Sequence, residues 1–305
     1  MEETLLKLFS ALTDENESVV GVEYKEKKLN LTAALCIYQK ARGIKNPVPV
    51  TFLQVMVEMR TCSGELIETV LSDSWVQSKW TSLVLPDSTR IDIPVSRPSK
   101  IICIGRNYQE HAREMDHPIP DEVLYFGKAP SSLLAHESDI RIPRDVGRVD
   151  HEAELAVIIG RETSRVPESS AISHVAGYSI LNDVTARTLQ KTDIEQGKPW
   201  FRSKSLDTFC PMGPYLVPAD RIDENPQLDI ECRVNGEIRQ KANTREMIFS
   251  VPVLIAQISR HITLLPGDII ATGTPKGVSP IQAGDIVEIT IEGLGTLKNR
   301  VIEAE

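Results

Sequence analysis

The chain has 305 residues, with 34 Lys and Arg against 43 Asp and Glu, which gives a formal net charge of −9. This length corresponds to about two average domains and can bury a large core without disulfides or structural metals. The acidic surplus argues against a general nucleic-acid or anionic-membrane binder, because such proteins need a basic surface. The 41% hydrophobic and 25% charged fractions exclude disordered and fibrous classes.

Cysteine usage and the start of the chain bear on its compartment. The five cysteines are an odd number without metal-ligand spacing, which predicts reduced and mostly buried thiols. The first residues are acidic where a secretory signal is basic, and no apolar run approaches the about 18 residues of a membrane span. We therefore expect a cytoplasmic protein.

The first ninety residues predict a small α+β module. Two short apolar runs, 19–24 and 29–31, flank a charged turn at 25–28 and predict a hairpin. Helical periodicity is found at 5–12, 33–41, 52–59 and 66–71. The polar, proline-bearing segment 85–100 is interpreted as a linker. The expected domains are thus 1–97, small and α+β, and 98–305, the main body.

Short apolar runs separated by turn residues dominate the main body. Strands are predicted at 101–104, 153–159, 178–181, 229–234, 269–271 and 286–291, and helices chiefly at 184–195 and 253–261. Helices and strands do not alternate regularly, so a doubly wound sheet or an α/β barrel is not expected. The pattern favours a β-rich α+β fold.

Three carboxylates stand at the ends of predicted strands. Glu152 and Glu154 begin the run 153–159 and share one face of that strand. Asp183 follows the run 178–181. If the three converge, they form an all-oxygen site suited to Mg²⁺, Mn²⁺ or Ca²⁺. The alternatives are a solvated strand end for the two glutamates and a helix cap for Asp183, with Arg187 and Gln190 on the same helix face.

Two further segments contain candidate ligand-binding or catalytic residues. The glycine-bearing loop 272–278 offers backbone N–H groups and the Thr274 hydroxyl to a carboxylate. His111 and Glu114 lie three apart, so on a helix they form a candidate water-activating pair. A surface His–Glu pair without a role is the alternative for the second segment.

Five ordered stretches together resemble the fumarylacetoacetate hydrolase family. They cover about residues 100–302 and read GRNYQEH, DHEAELAVIIG, GYSILNDVTAR, FRSKSLDTFCPMGP and IIATGTPKGV. The resemblance implies a mixed β-sandwich roll, generally assembled as a homodimer, with a small N-terminal α+β domain ahead of it. The stretch 126–130 is looser than the family pattern and leaves Lys128 without a firm role.

The resemblance also implies roles for individual residues. The metal ligands for Mg²⁺ or Mn²⁺, with Ca²⁺ possible in crystals, fall on Glu152, Glu154 and Asp183. The residues implied in catalysis are Lys204 and the lid pair His111 and Glu114. The residues implied in substrate binding are Arg106, Arg187, Gln190, Gly273 and Thr274.

We therefore expect a metal-dependent enzyme acting on small 2-oxo (β-dicarbonyl) acids, with acylpyruvate hydrolysis slightly ahead of oxaloacetate decarboxylation. In both reactions a pyruvate enolate forms and the cation stabilises it. Isomerisation of 2-hydroxyhepta-2,4-diene-1,7-dioate is the alternative within the family. The alternative from another class is a non-catalytic protein that binds an oxo acid or uses the metal as a structural clasp. No nucleic-acid or membrane partner is expected.

Overall fold

The computed structural model describes residues 5–13, 17–46, 50, 56–57, 60, 62–114 and 120–304, without the side chains of residues 111 and 112. Its strands are β1 (Lys7–Leu12), β2 (Ser18–Tyr24), β3 (Lys27–Asn30), β4 (Arg90–Asp92), β5 (Ile101–Gly105), β6 (Leu124–Lys128), β7 (Leu133–Leu134), β8 (Asp139–Ile142), β9 (Val149–Asp150), β10 (Ala153–Ile159), β11 (Val175–Asn182), β12 (Thr185–Ala186), β13 (Cys210–Pro211), β14 (Val217–Pro218), β15 (Asp229–Val234), β16 (Glu237–Asn243), β17 (Ile269–Ala271), β18 (Pro280–Ile281), β19 (Ile286–Ile291) and β20 (Gly295–Glu303). Its α-helices are α1 (Leu31–Ala41), α2 (Gly64–Ser72), α3 (Ser74–Gln77), α4 (Trp80–Leu83), α5 (Gln109–Glu114), α6 (Glu168–Ala171), α7 (Arg187–Glu195), α8 (Phe201–Lys204) and α9 (Val251–Ser259). The β-rich α+β class is confirmed.

The N-terminal module contains a four-stranded antiparallel sheet of order β3-β2-β1-β4, together with α1 to α4. The predicted hairpin is β2–β3, and the predicted helices at 33–41 and 66–71 are α1 and α2. Each of these helices has a side-chain N-cap: Asn30 accepts from the Ala33 amide, and Ser63 accepts from the Leu66 amide. Local capping therefore explains where both helices begin.

Two predictions for this module are wrong, and a third is largely untested. The segment 5–12 is not a helix but contains strand β1, because pairing with β2 and β4 outweighs a short apolar pattern that fits either structure. Leu8 also exchanges two backbone hydrogen bonds of 2.8 Å with Leu216 of the main body. The linker 85–100 contains β4, which completes the N-terminal sheet. The helix predicted at 52–59 lies outside the described residues except for Met56 and Val57.

A six-stranded sheet of order β14-β11-β10-β17-β5-β6 lies at the centre of the molecule. On one face, alternate residues of β10, such as Leu155 and Val157, pack against α9 and a five-stranded sheet of order β16-β15-β19-β20-β8. On the other face, Ala156 and Ile158 pack in one apolar cluster with the N-terminal module. A sheet covered on both faces explains why β10 is apolar at nearly every position.

The predicted state of the thiols agrees with the structure. All five cysteines are free, and four of them are buried. Burial raises the pKa of Cys62 and Cys232 well above the usual thiol range. Within the described residues, the helices are all too short or too polar to cross a membrane.

Asp268 joins the starts of β5 and β17 through a fully buried carboxylate. It accepts hydrogen bonds from the Ser99 hydroxyl at 2.6 Å, the Lys100 amide at 3.1 Å and the Leu265 amide at 2.7 Å, and it pairs with the Lys100 ammonium. Both strands lead into the site described below. The turn aspartate is therefore a structural anchor.

Replacing this anchor, Asp268→Ala, is expected to lower the free energy of unfolding by about 3 kcal/mol, because two amides, a hydroxyl and an ammonium group all lose one buried acceptor. The matched control is Asp285→Ala in the other Gly-Asp turn, where a half-buried carboxylate accepts from the Gln282 amide at 2.8 Å. Its expected cost is about 1 kcal/mol. Urea unfolding measures both, and equal costs would contradict the assigned anchoring role.

Candidate metal centre and substrate pocket

Two neighbouring strands bring the predicted carboxylates together. β10 and β11 are antiparallel with Ala153 opposite Asn182, so the start of one strand meets the end of the other. The Asp183 amide donates to the Glu152 carbonyl at 2.9 Å, and the Glu152 amide donates to Asn182 Oδ1 at 3.0 Å. Glu154 lies two residues along β10. The pairing of β10 with β11 therefore brings the backbones of all three acidic residues close together.

Glu152, Glu154 and Asp183 are buried, and each offers one carboxylate oxygen within 4.8 Å of the other two. Oxygen ligands lie about 2.1 Å from Mg²⁺ and about 2.4 Å from Ca²⁺, so opposite ligands are roughly 4 to 5 Å apart. The three oxygens lie close enough together to contact one such cation. The donor set and its spacing fit a hard divalent cation, and the convergence expected from the sequence is present.

Lys204, at the end of α8, places a buried ammonium among these carboxylates. Its Nζ donates to Glu152 Oε2 at 2.9 Å and to Asp183 Oδ2 at 2.6 Å. The same atom lies 5.0 Å from the centroid of the Phe126 ring. Burial alone lowers the pKa of Lys204, but the charges of Asp183 and Glu152 outweigh it and raise that pKa. The side chain therefore presents a positive charge beside the acidic triad.

A second lysine contacts the site from β6. Lys128 Nζ donates to Asp183 Oδ1 at 2.6 Å and to the Val184 carbonyl at 3.3 Å, and its side chain is fully buried. Both oxygens of Asp183 therefore accept from an ammonium group. The sequence left this lysine without a firm role, because the stretch 126–130 is looser than the family pattern.

Arg187 begins α7 and connects two acidic residues. Its Nε donates to Asp150 Oδ2 at 2.8 Å, and a terminal nitrogen donates to Glu152 Oε1. Another terminal nitrogen donates to Gln190 Oε1 at 2.7 Å, which leaves the Gln190 amide hydrogens for other partners. The predicted shared helix face of Asp183, Arg187 and Gln190 is wrong for Asp183. The helix begins at Arg187, four residues later than that residue.

Glu154 is the carboxylate most affected by its surroundings. Complete burial raises its pKa well above the usual range, and the nearby charges of Asp183 and Glu152 raise it further. Lys204 and the Gly273 amide act in the opposite direction. A cation shared by the three carboxylates would relieve this repulsion.

The loop after β17 completes the site. Gly273 has a φ of +95°, and its N–H donates to Glu154 Oε2 at 2.8 Å. A Cβ atom at this position would lie 2.8 Å from the Asn107 Cβ atom. Both the left-handed backbone and the close approach therefore require glycine.

The variant Gly273→Ala is expected to weaken Mn²⁺ binding by tenfold or more, because the loop must move away from Asn107 and withdraw its N–H from Glu154. Gly284→Ala is the matched control, since Gly284 has a φ of +99° but nothing within 4 Å of its Cβ position. The control is expected to bind Mn²⁺ as the wild type does. Calorimetric titration measures both, and unchanged affinity in Gly273→Ala would contradict this role for the loop.

A cavity of about 90 Å³ opens beside the triad. It is small compared with drug-sized sites of about 300–1,000 Å³, so it suits a small acid. Its lining includes three of the predicted metal and catalytic residues, Glu152, Glu154 and Lys204, and four of the predicted substrate-binding residues, Arg106, Arg187, Gln190 and Thr274. Trp200 and Phe126 form an aromatic wall, with ring centroids 5.2 Å apart.

The predicted lid corresponds to α5, which lies against the loop 272–278. Glu114 accepts from the Gly277 amide at 3.1 Å, and Glu110 pairs with Lys276 at 3.4 Å. The side chain of His111 lies outside the described part of the chain. The paired action of His111 and Glu114 on water therefore stays a prediction.

Comparison with known proteins places this geometry in a family. Residues 100–302 match the family model described as fumarylacetoacetate (FAA) hydrolase C-terminal. The chain belongs to the fumarylacetoacetate hydrolase family. The resemblance and the fold it implied are confirmed, and so is the expectation of an enzyme.

Three relatives illustrate the range of this hydrolase family. The oxaloacetate tautomerase YisK of Bacillus subtilis is 40% identical over 272 residues, covering 81% of this chain and 89% of its own. A fumarylacetoacetate hydrolase from Exiguobacterium antarcticum has a TM-score of 0.79 at 34% identity, covering 98% of this chain and 100% of its own. A maleylpyruvate hydrolase from Sphingobium sp., solved with manganese(II) and pyruvate, has a TM-score of 0.75 at 29% identity, with the same coverage.

Sequence reasoning missed three polar residues that bear on the site. They are Lys128, Asp150 and Gln240, and each is buried. A signal existed for the last of them. Asn235 and Gly236, both with positive φ, form a typical hairpin turn after the predicted strand 229–234, so a partner strand containing Gln240 was to be expected.

Proposed function

We propose that this protein is a divalent-metal-dependent enzyme that converts small 2-oxo acids through an enol or enolate, with keto–enol tautomerisation and decarboxylation of oxaloacetate as its first candidate reactions. The observation that carries the proposal is the buried set of Glu152, Glu154 and Asp183 with the Lys204 ammonium beside it. The tautomerase named YisK supports this ordering, because its 40% identity exceeds the 34% and 29% of the two hydrolases.

Glu152, Glu154 and Asp183 would hold Mg²⁺ or Mn²⁺, with Ca²⁺ as a possible substitute in crystals. Such a cation supplies Lewis-acid polarisation of a 2-oxo group. The residues that line the cavity would then have to orient the substrate relative to that cation.

The protein's own cations and donors account for substrate recognition. Arg106 and Arg187 add to the positive charge of Lys204 in a cavity that also contains carboxylates, and the amide hydrogens of Gln190 can donate to a carboxylate oxygen. The Lys204 ammonium then stabilises negative charge that develops on the substrate when a proton or carbon dioxide leaves C3. Substrate recognition and stabilisation of the developing charge both favour an oxo acid with one or two negative charges.

Acylpyruvate hydrolysis is the second candidate. It is favoured by the lid helix α5, because Glu114 accepts a hydrogen bond from the amide of Gly277 within the loop 272–278. In this reaction His111, oriented by Glu114, deprotonates water for attack on the distal carbonyl. Isomerisation of 2-hydroxyhepta-2,4-diene-1,7-dioate and a non-catalytic oxo-acid-binding role are the remaining alternatives. Homodimer assembly and a cytoplasmic location stay predictions.

A substrate panel tests the proposal. The protein is freed of metal with EDTA, reloaded with Mg²⁺ or Mn²⁺, and incubated with enol-oxaloacetate, keto-oxaloacetate, acetylpyruvate, fumarylpyruvate and the heptadiene dioate. Enol absorbance reports tautomerisation, and NMR identifies the other products. We expect metal-dependent turnover of oxaloacetate. Full turnover in EDTA, or ligand-induced stabilisation without any product, would contradict the proposal.

The variant His111→Ala distinguishes the two leading reactions. Hydrolysis of acetylpyruvate is expected to fall about 100-fold or more, because the general base is lost. Tautomerisation needs no activated water and is expected to change by less than about fivefold. Glu110→Gln on the same helix, whose carboxylate is exposed, serves as the control. Undiminished hydrolysis in His111→Ala would show that the lid pair is not the base.

A further inference from the structure

Gln240 lies on β16 and is buried. Its side chain connects the start of β10 with the loop 272–278. Its Oε1 accepts from the Ala153 amide at 3.0 Å. Its Nε2 donates to the Thr274 hydroxyl and to the Pro275 carbonyl, both at 2.8 Å. Because a peptide N–H only donates and a carbonyl only accepts, these partners determine which atom of the Gln240 amide group is the oxygen and which is the nitrogen.

The orientation of Gln240 also fixes that of His151, which immediately precedes Glu152. His151 Nδ1 lies 3.1 Å from Gln240 Oε1, and its Nε2 lies 2.9 Å from the Ser279 hydroxyl. Since Oε1 can only accept, Nδ1 carries the hydrogen, and a neutral ring then accepts at Nε2 from Ser279. His151 and Ser279 thereby hold Gln240 in a single orientation.

That orientation determines what Thr274 can offer to the cavity. A hydroxyl has one hydrogen to donate, and the Gln240 Nε2 hydrogen already points at its oxygen. The Thr274 hydrogen must therefore turn away from Gln240. Thr274 lines the cavity beside Lys204 and Arg187, so a donor directed there meets the space in which an anionic substrate binds.

We propose that Gln240 is a positioning residue which holds the Thr274 hydroxyl as a hydrogen-bond donor to a carboxylate oxygen of the oxo-acid substrate. The inference rests on the proposed function and extends it to a residue that lies outside the cavity. Gln240 contacts neither the substrate nor the metal-binding oxygens. Its effect on substrate binding passes through Thr274, and so that effect must vanish when the Thr274 hydroxyl is absent.

A double-mutant cycle of Gln240→Glu and Thr274→Val tests this dependence. The introduced carboxylate still accepts from Ala153 and His151, but it cannot donate to Thr274, so the hydroxyl turns to donate to that carboxylate. In the Mn²⁺-loaded enzyme we expect Gln240→Glu to raise KM for oxaloacetate, and Kd for oxalate, about tenfold, with kcat changed less. In the Thr274→Val background the same change is expected to have less than a twofold effect.

Thermal unfolding and Mn²⁺ affinity are measured for every variant to establish that fold and metal site are intact. If Gln240→Glu does not fold, Gln240→Met enters the same cycle: it removes the acceptor of Ala153 and His151 in both backgrounds, so the difference between the backgrounds still reports the Thr274 hydroxyl. Equal effects in both backgrounds, or no effect in either, would overturn the positioning role. A wild-type enzyme that turns over no oxo acid and binds no oxalate would instead overturn the proposed function.

Discussion

The variant Asp183→Asn is expected to lose kcat/KM for oxaloacetate by at least about 1,000-fold. The amide has nearly the shape of the carboxylate but no charge, so it is a poor ligand for a hard cation. Its NH2 group also cannot accept, whereas each oxygen of Asp183 accepts from one ammonium group, Lys128 or Lys204, at 2.6 Å. Steady-state kinetics at saturating Mn²⁺ measure the loss.

The control for this loss is Asp268→Asn, which also changes a fully buried aspartate paired with a lysine but lies outside the cavity. It is expected to retain wild-type kcat/KM below its unfolding temperature. Similar losses in both variants would mean that general disruption, and not the acidic triad, explains the result.

The variant Lys204→Met is expected to lower kcat about 100-fold or more while Mn²⁺ still binds. The ammonium is lost from the point at which negative charge develops, 2.6 to 2.9 Å from two carboxylates of the triad. Removing a cation from between those carboxylates makes the site more negative, so Mn²⁺ affinity is expected to hold or increase. Parallel kinetics and Mn²⁺ titration separate the two effects.

Lys298→Met is the matched control, because Lys298 pairs with Glu288 on the five-stranded sheet and its side chain is 46% exposed. It is expected to change neither kcat nor Mn²⁺ affinity. Wild-type kcat in Lys204→Met would contradict the electrostatic role of Lys204, and lost Mn²⁺ binding would show that its role is structural.

Four strands could be predicted closely from the sequence: β10 and β17 because they are buried throughout, and β15 and β19 because buried and more exposed residues alternate along them. β10, β15, β17 and β19 begin and end where the apolar runs do. Glu152, Glu154 and Asp183 could be recognised as candidates from their positions at strand ends. Their convergence could not be derived, because it depends on the pairing of Ala153 with Asn182 and not on either strand alone.

Predictions failed where long-range pairing decides the local structure. Strand β1 has an apolar pattern that also fits a helix, and its partners lie as far away as Leu216. In the sequence alone, Lys128 and Gln240 cannot be distinguished from other polar residues. Their roles arise from buried partners, Asp183 and Thr274, that are distant in the chain. Such side-chain networks require the fold before they can be recognised.

The most direct test of the account is an electron paramagnetic resonance titration of the metal-free protein with Mn²⁺, with and without oxalate. One tight site per chain is predicted, lost in Glu154→Gln, and oxalate is predicted to alter the spectrum of the bound ion as it replaces water ligands. Absence of tight Mn²⁺ binding, or a spectrum that oxalate leaves unchanged, would contradict the claim that Glu152, Glu154 and Asp183 bind the metal on which a 2-oxo acid is converted.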